Sequence, residues 1–429
     1  MAFLQLNSNN PKFSYILRKN PDSGMLIKSN RKGRLFGWYT NPEKYNMYFR
    51  DSDVEVSYSH DDFEYMDDSR YNAPMFLVNA FHSFLNHMKK ADGSDIVGYD
   101  NILMINQMKC KPYSIETFRS HFPEYEFSFE KVAFHNYKIE IKTKKTIREL
   151  VNLSQVLAIF NALLNNDLYI TDDEIDKYLA CLIVIDSPYF VRYLFKCYFL
   201  KTQSLFNQYK ALLETSSKEK LELEFGNNLT QRTNFIKKHL DFKSHIVDVG
   251  CGEGHYVREF APKIDKNGLE YHAIDIDQER IENVKRLCER RGIENVATWS
   301  TIDEFTCPDN SVIIMTEIIE HMTKENAVVL IGKILKWPFK SLIITTPNKK
   351  FNNNYQLLED DVRHEDHKFE FNIEDFMSLI KELVCNGDDS NSDNDNIGIN
   401  NMHVEFFDIG DKVNSLKPTL AAIITQKVA

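Results

Sequence analysis

Two patterns of apolar spacing divide the chain. Up to about residue 150, short aromatic and β-branched runs recur at Phe13–Leu17, Met25–Ile27, Leu35–Tyr39, Tyr45–Phe49 and Val54–Tyr58, with Asn, Asp, Gly and Pro between them. Runs of that length, bounded by turn formers, predict strands. One helical stretch interrupts them at Ala73–Lys90. From Thr146 the spacing turns helical. Ile147–Leu164 predicts a long amphipathic helix, Thr171-Asp-Asp-Glu174 reads as a capping box, and Tyr189–Glu214 continues the helical pattern. Ser216–Lys220 is polar and charged, as a linker would be.

Beyond Asn227 the spacing changes again. Helices at Gln231–Leu240, Tyr256–Ile264, Gln278–Arg291 and Lys324–Leu335 alternate with strands at His245–Val249, Glu270–Ile274, Ser311–Thr316 and Ser341–Thr345. Alternation of this kind predicts an α/β fold with a doubly wound sheet. Asp388–Asn396 is acidic and of low complexity, an expected solvated loop. Val404–Ile409 and Thr419–Thr425 predict a closing β-hairpin. The expected organisation is a β-rich region over 1–150, a helical region and linker over 151–225, and an α/β domain over 226–429, so an α+β half precedes an α/β half.

Composition narrows the function classes. The 429 residues carry a net charge of −11, against a general basic coat for duplex nucleic acid. The charge is local. Residues 1–225 hold 28 basic and 29 acidic side chains, whereas residues 351–400 hold 13 acids against 3 bases. Seven cysteines stand singly with no CxxC pair, as expected of reduced thiols in the cytoplasm. The first residues lack the charged and apolar regions of a signal peptide. The most apolar stretch, Tyr178–Leu194, is broken by Asp186, Ser187, Pro188 and Arg192, so no membrane span is expected.

Candidate chemistry begins at Val247-Asp-Val-Gly-Cys-Gly-Glu-Gly254, at the end of the first strand of the α/β domain. Glycines at alternate positions let a backbone approach a ligand closely and present N–H groups at a helix N-terminus. The spacing is GxGxG, and no Lys-Ser/Thr follows as in a P-loop. The next strand ends at Asp275, where a carboxylate can accept from both ribose hydroxyls of a nucleotide. At these residues the chain resembles the class I S-adenosylmethionine-dependent methyltransferases, with their Rossmann-like fold. That resemblance implies that Asp248, Gly250, Gly252 and Gly254 line the methionine side of the cofactor. It implies that Asp275 holds the ribose and that Ser300 and Thr301 lie near the adenine.

A second cluster follows the fourth strand, at Thr316-Glu-Ile-Ile-Glu-His-Met322. In a helical turn, Glu317, Glu320 and His321 share one face. Two carboxylates and an imidazole pointing together repel one another unless a cation joins them, and mixed O/N ligation suits Mn²⁺ or Mg²⁺. A fourth ligand is available in Arg363-His-Glu-Asp-His-Lys-Phe-Glu370, at His364 or His367.

ExxEH, then TPN, then DHKFE resembles the HEN family of RNA 3′-terminal ribose 2′-O-methyltransferases, over about residues 227–429, including Gln231-Arg232 and the VEFFDIGD tail. The resemblance implies metal ligation by Glu317, Glu320, His321 and, in the DHKFE segment, His367. Where the family has FEW followed by Thr-Arg, this chain has FEF and Asn372-Ile373. It further implies that a metal on the vicinal 2′- and 3′-oxygens selects RNA with a free 3′ end, such as cleaved tRNA, and activates the 2′-OH. Residues 1–225, through FSYILRKNPDSG, GWYTNPEKYNMYF and IRELVNLSQVLAIFNALLNNDLYITDDEIDKYL, resemble the N-terminal region of full-length bacterial HEN proteins. That likeness implies a role in RNA repair, in a complex with a polynucleotide kinase-phosphatase and an RNA ligase. Two other expectations remain: a methyltransferase acting on a small molecule or protein, and a mainly structural subunit.

Overall fold

A computed structural model describes residues 2–30, 33–51, 74–133, 135–164, 172–357, 361–385 and 402–426. The chain divides into two compact units, Met1–Glu219 and Lys220–Ala429. The expected strand at Val54–Tyr58, Thr171 of the capping box and the acidic stretch 388–396 lie outside the described residues.

The first unit contains β1 (Ala2–Ser8), α1 (Phe13–Leu17), β2 (Leu26–Asn30), β3 (Gly33–Asn41), β4 (Lys44–Asp51), α2 (Pro74–Leu85), β5 (Asn101–Lys109), α3 (Pro112–His121), β6 (Glu126–Ala133), β7 (Asn136–Thr143), α4 (Ile147–Leu164), α5 (Asp172–Val184), α6 (Tyr189–Phe199) and α7 (Gln203–Leu213). Its seven strands are ordered β2-β3-β4-β1-β5-β7-β6, each antiparallel to its neighbours. The helices from α4 to α7 belong to the same unit as this sheet.

Three expectations fail here for physical reasons. Phe13–Leu17 is a helical turn, not a strand, because Phe13, Ile16 and Leu17 reach the core together at i, i+3 and i+4. α4 is not amphipathic. Every residue from Leu150 to Leu163 is buried, since α2, α3, α5 and β5 all pack against it. Its polar side chains bond mostly to main-chain carbonyls: Asn152 Nδ2 donates to the Arg148 carbonyl and Ser154 Oγ to the Val151 carbonyl, while Asn152 Oδ1 is buried without a partner. The helical run after Tyr189 breaks at residues 200–202, where Thr202 caps α7 by accepting from the Leu205 N–H (3.2 Å).

The second unit contains β8 (Leu221–Glu222), α8 (Asn228–His239), β9 (Ile246–Val249), α9 (His255–Asp265), β10 (Tyr271–Ile274), α10 (Gln278–Arg291), β11 (Val296–Trp299), β12 (Ser311–Thr316), α11 (Lys324–Ile334), β13 (Phe339–Pro347), α12 (Ile373–Cys385), β14 (Met402–Ile409), β15 (Lys412–Val413) and β16 (Thr419–Gln426). The sheet order is β11-β10-β9-β12-β13-β16-β14. The first five strands are parallel, and β16 runs antiparallel to both β13 and β14, so the expected closing hairpin pairs at the sheet edge. β9 and β10 are buried on both faces and read as apolar runs for that reason. The strand order reverses between β9 and β12, the place where open α/β sheets bind ligands at their carboxyl ends.

Candidate functional site

The turn after β9 is shaped by its glycines. Gly250, Gly252 and Gly254 all have positive φ (+73°, +52° and +72°). A Cβ on Gly250 would sit 2.5 Å from Ile318 Cδ1, so a side chain there would force Ile318 to shift, whereas one on Gly252 would meet open space. The Gly250 and Cys251 N–H groups donate to the Ile274 carbonyl (2.7 and 3.0 Å), which seats the turn on the end of β10. Asp275 continues that strand. Its Oδ2 accepts from the Gly252 N–H (2.9 Å) and its Oδ1 from the Asp277 N–H (3.0 Å). The next residue, Ile276, is 89% exposed, an apolar side chain held in water beside the turn.

Asp248 lies one pleat back and is wholly buried. Tyr271 donates its O–H to Oδ2 (2.7 Å), while Oδ1 is buried without a partner. Burial pushes this carboxyl up to about 7. Ser300 and Thr301 follow β11, the strand beside β10, and are half-buried; Asp275 N–H donates to the Trp299 carbonyl (3.1 Å). The orphaned Oδ1 and the open side of Gly252 fit a ligand offering donors to a backbone-lined cradle.

Two strands along, the acid–histidine segment departs from the helical turn expected of it. Glu317 is left-handed (φ +52°), and only Ile319–His321 form a single 3₁₀ turn. Glu317 therefore does not join the face shared by its neighbours. Its Oε2 pairs with Arg232 of α8 (3.1 Å), and its Oε1 accepts from Thr345 Oγ1 of β13 (3.1 Å). Glu320, His321 and His367 do converge, with one ligand atom from each within 4.8 Å of the others. The rings of His321 and His367 meet edge to face at 4.8 Å.

Each of the three is held differently. Glu320 is fully buried. Its Oε2 accepts from Thr346 Oγ1 (3.1 Å), and its Oε1 is buried without a partner. Burial and the charge of Glu317 raise its carboxyl well above the ordinary range. An unpartnered, buried carboxylate oxygen beside two imidazoles is a disposition that a divalent cation relieves. His367 Nδ1 donates to Glu370 Oε1 (2.7 Å), which leaves Nε2 to face the cluster, as a carboxylate does for a metal-bound histidine. Burial alone would raise the Glu370 carboxyl. Bonds from His367, the Arg363 N–H and Asn352 outweigh it and hold the carboxyl low. His321 is half exposed, and burial and the neighbouring His367 and His364 lower its pKa. His364 is 69% exposed, contacts Asp366 and lies outside the cluster.

The supporting residues were less visible in the sequence. Arg363 anchors the histidine segment through Asn352 Oδ1 (2.6 Å) and the carbonyls of Pro418 and Asn348. The Lys368 N–H donates to the Glu320 carbonyl (2.7 Å) and ties that segment to the 3₁₀ turn. Gln231 donates to the carbonyl of Glu224 and to Asp411 Oδ1 (3.1 and 3.0 Å), joining α8 to the tail that carries Gly410. Arg232, Thr346 and Glu370 stood inside quoted motifs and Thr345 at the end of an expected strand, but nothing in their spacing assigned them contacts.

Comparison with known proteins sets this geometry in a family. Residues 3–218 match the model of the Hen1 N-terminal domain. The chain belongs to the Hen1 family. Residues 246–337 match a methyltransferase domain model, in agreement with the expected class I fold. The chain is similar to a chain in a solved Pnkp1/Rnl/Hen1 RNA repair complex, with 25% identity over 99% of this chain and 100% of that one, at a TM-score of 0.81. A second Pnkp1/Rnl/Hen1 structure matches equally, at a TM-score of 0.81. A small RNA 2′-O-methyltransferase of Caenorhabditis elegans is 26% identical over 179 residues, which cover 36% of this chain and 40% of that protein. The match thus spans less than half the length of the curated relative.

Proposed function

We propose that this protein methylates the 2′-OH of the 3′-terminal ribose of RNA, using S-adenosylmethionine and a divalent metal, Mn²⁺ or Mg²⁺. The observation that carries the reading is Glu320 Oε1, buried without a partner beside His321 and His367 and one strand from the glycine turn. S-Adenosylmethionine supplies a sulfonium methyl group. Asp275, at the end of β10, would hold the ribose of that cofactor, Asp248, Gly250, Gly252 and Gly254 would line its methionine side, and Ser300 and Thr301 would lie near the adenine. Glu320, His321 and His367 would hold the metal, with Glu317 able to complete the set by leaving Arg232. A divalent ion there would supply Lewis-acid activation of the ribose 2′-OH. Thr346 and Glu370 fix the ligands. The proton passes to His321 or a neighbouring carboxylate. A 2′-deoxy end offers no nucleophile.

Residues 1–225 engage a polynucleotide kinase-phosphatase and an RNA ligase, as the likeness to the Pnkp1/Rnl/Hen1 complex supports. The hetero-oligomer works on cleaved RNA, tRNA included, in the cytoplasm. Among the described residues no helix is long and apolar enough to cross a membrane.

Methyl transfer to matched RNAs ending in 2′-OH/3′-OH, 3′-phosphate or 2′-deoxyribose tests the reading. Label is expected only in the first and only without EDTA. Transfer that survives EDTA overturns the metal assignment. Label in a small molecule or protein but not in RNA overturns the substrate. Co-purification of the full chain with ligase and kinase-phosphatase is expected; retention of that complex after deletion of the N-terminal half overturns the partner assignment.

A further inference from the structure

A second histidine–carboxylate group lies at the opposite end of the same sheet. His245 immediately precedes β9, Glu270 immediately precedes β10, and His272 is the second residue of β10. These are the amino ends of the two strands whose carboxyl ends carry the glycine turn and Asp275. Because β9 and β10 are parallel, with Tyr271 opposite Ile246, His245 stands opposite Glu270 at the strand ends. One ligand atom from each of His245, Glu270 and His272 lies within 4.8 Å of the others.

His272 makes this more than a chance grouping. Its side chain is 4% exposed, and neither Nδ1 nor Nε2 has a hydrogen-bond partner. A buried imidazole with both nitrogens unpaired forfeits the hydrogen bonds it had in water, a loss that a bound ion would offset. It packs against Phe305 at 5.3 Å on one side and lies 6.0 Å from the His245 ring on the other. Its Nε2 is 3.8 Å from Glu270 Oε2, and the Glu270 side chain is 62% exposed, free to close on an ion. The Glu270 N–H donates to His245 Nδ1 (3.1 Å) and holds that ring beside the group. Binding through that nitrogen gives up one hydrogen bond whose amide belongs to an exposed residue.

We infer that His245, Glu270 and His272 form a second metal site, separate from the acid–histidine cluster, for a borderline-soft divalent ion such as Zn²⁺. Two imidazoles and one carboxylate suit Zn²⁺ with water in the fourth position, at bond lengths of about 2.0–2.2 Å; Mg²⁺ and Ca²⁺ prefer all-oxygen sets. An ion there clips the amino ends of β9 and β10 together and gives the buried His272 nitrogen its missing partner.

The test uses the full chain carrying His321→Ala and His367→Ala, which removes the nitrogen ligands of the other cluster. One equivalent of Co²⁺, read by its visible absorption, is expected to bind this protein, and Zn²⁺ is expected to compete for it and raise the Tm. Adding His245→Ala or Glu270→Gln, both at accessible positions, is expected to weaken Co²⁺ binding by about tenfold or more. S-Adenosylmethionine binding, unchanged in all variants, reports that the domain is folded. Absence of the Co²⁺ band in the double variant overturns the site, and so does a band that neither added substitution changes.

Discussion

The two carboxyl-end clusters of the second unit are made in different ways. The glycine turn is one continuous peptide, Asp248–Gly254, whose geometry comes from backbone conformation and is completed by Asp275 on the adjacent strand. The acid–histidine cluster draws Glu320 and His321 from the end of β12, Thr346 from β13, and His367 and Glu370 from a segment some fifty residues later in the chain. One is a local device that uses main-chain N–H groups. The other exists only when three segments meet, and its buried carboxylate depends on all of them. The lesson is that, on the proposed function, a change in the second cluster is expected to abolish methyl transfer while sparing cofactor binding at the first.

The largest expected effect follows from Glu320→Gln. It replaces the unpartnered carboxylate oxygen beside the two histidines with an amide and is expected to lower methyl transfer to 3′-OH RNA by more than about 100-fold, beyond the range for outer partners of a metal ligand. Equilibrium dialysis with S-adenosylmethionine is expected to show unchanged binding, and loss of that binding would merge the two clusters into one.

Glu370→Gln comes next. His367 loses the acceptor that orients it, and metal affinity is expected to fall by about 10–100-fold, read as the Mn²⁺ concentration giving half-maximal transfer. Restoration of the maximal rate at high Mn²⁺ separates positioning from misfolding.

Gly250→Ala tests the local device from the other side. A Cβ there meets Ile318 in a left-handed backbone, at an expected cost of about 1–2 kcal/mol. Thermal unfolding and cofactor binding report it, while metal affinity is expected to stay as it was.

The smallest effect concerns pH. Burial raises Asp248 from 3.8 to about 7, so the folded protein binds a proton that the unfolded chain has released between those values. This group's contribution to stability is complete below about pH 4 and is lost as pH rises through 7, by at most about 1.4 kcal/mol per pH unit. In the cofactor-free protein, Asp248→Asn is expected to flatten that decline in denaturant titrations; an unchanged slope would mean that Asp248 stays ionised in the fold.

Much of the second unit was legible because its signals are local. α10 begins and ends where its caps stand, at Asp277 and Gly292, and the buried strands β9, β10 and β12 read as apolar runs. The first unit was less legible. Phe13–Leu17 has the composition of a strand and the burial of a helix, and α4 is surrounded on all sides by elements that no spacing within α4 reveals.

The amino-acid sequence by itself determined the α/β alternation, the glycine turn with its acid at the next strand end, and the carboxylate and imidazole residue types of the second cluster. Each depends on neighbours along the chain or on one strand's repeat. Only the tertiary structure decided that His367 rather than His364 meets Glu320 and His321, that Glu317 turns to Arg232, and that Glu370 orients the histidine. Only the pairing of β9 with β10 put His245 beside Glu270 and His272. These choices depend on strand register and on burial, which bring distant residues within bonding distance and strip water from them.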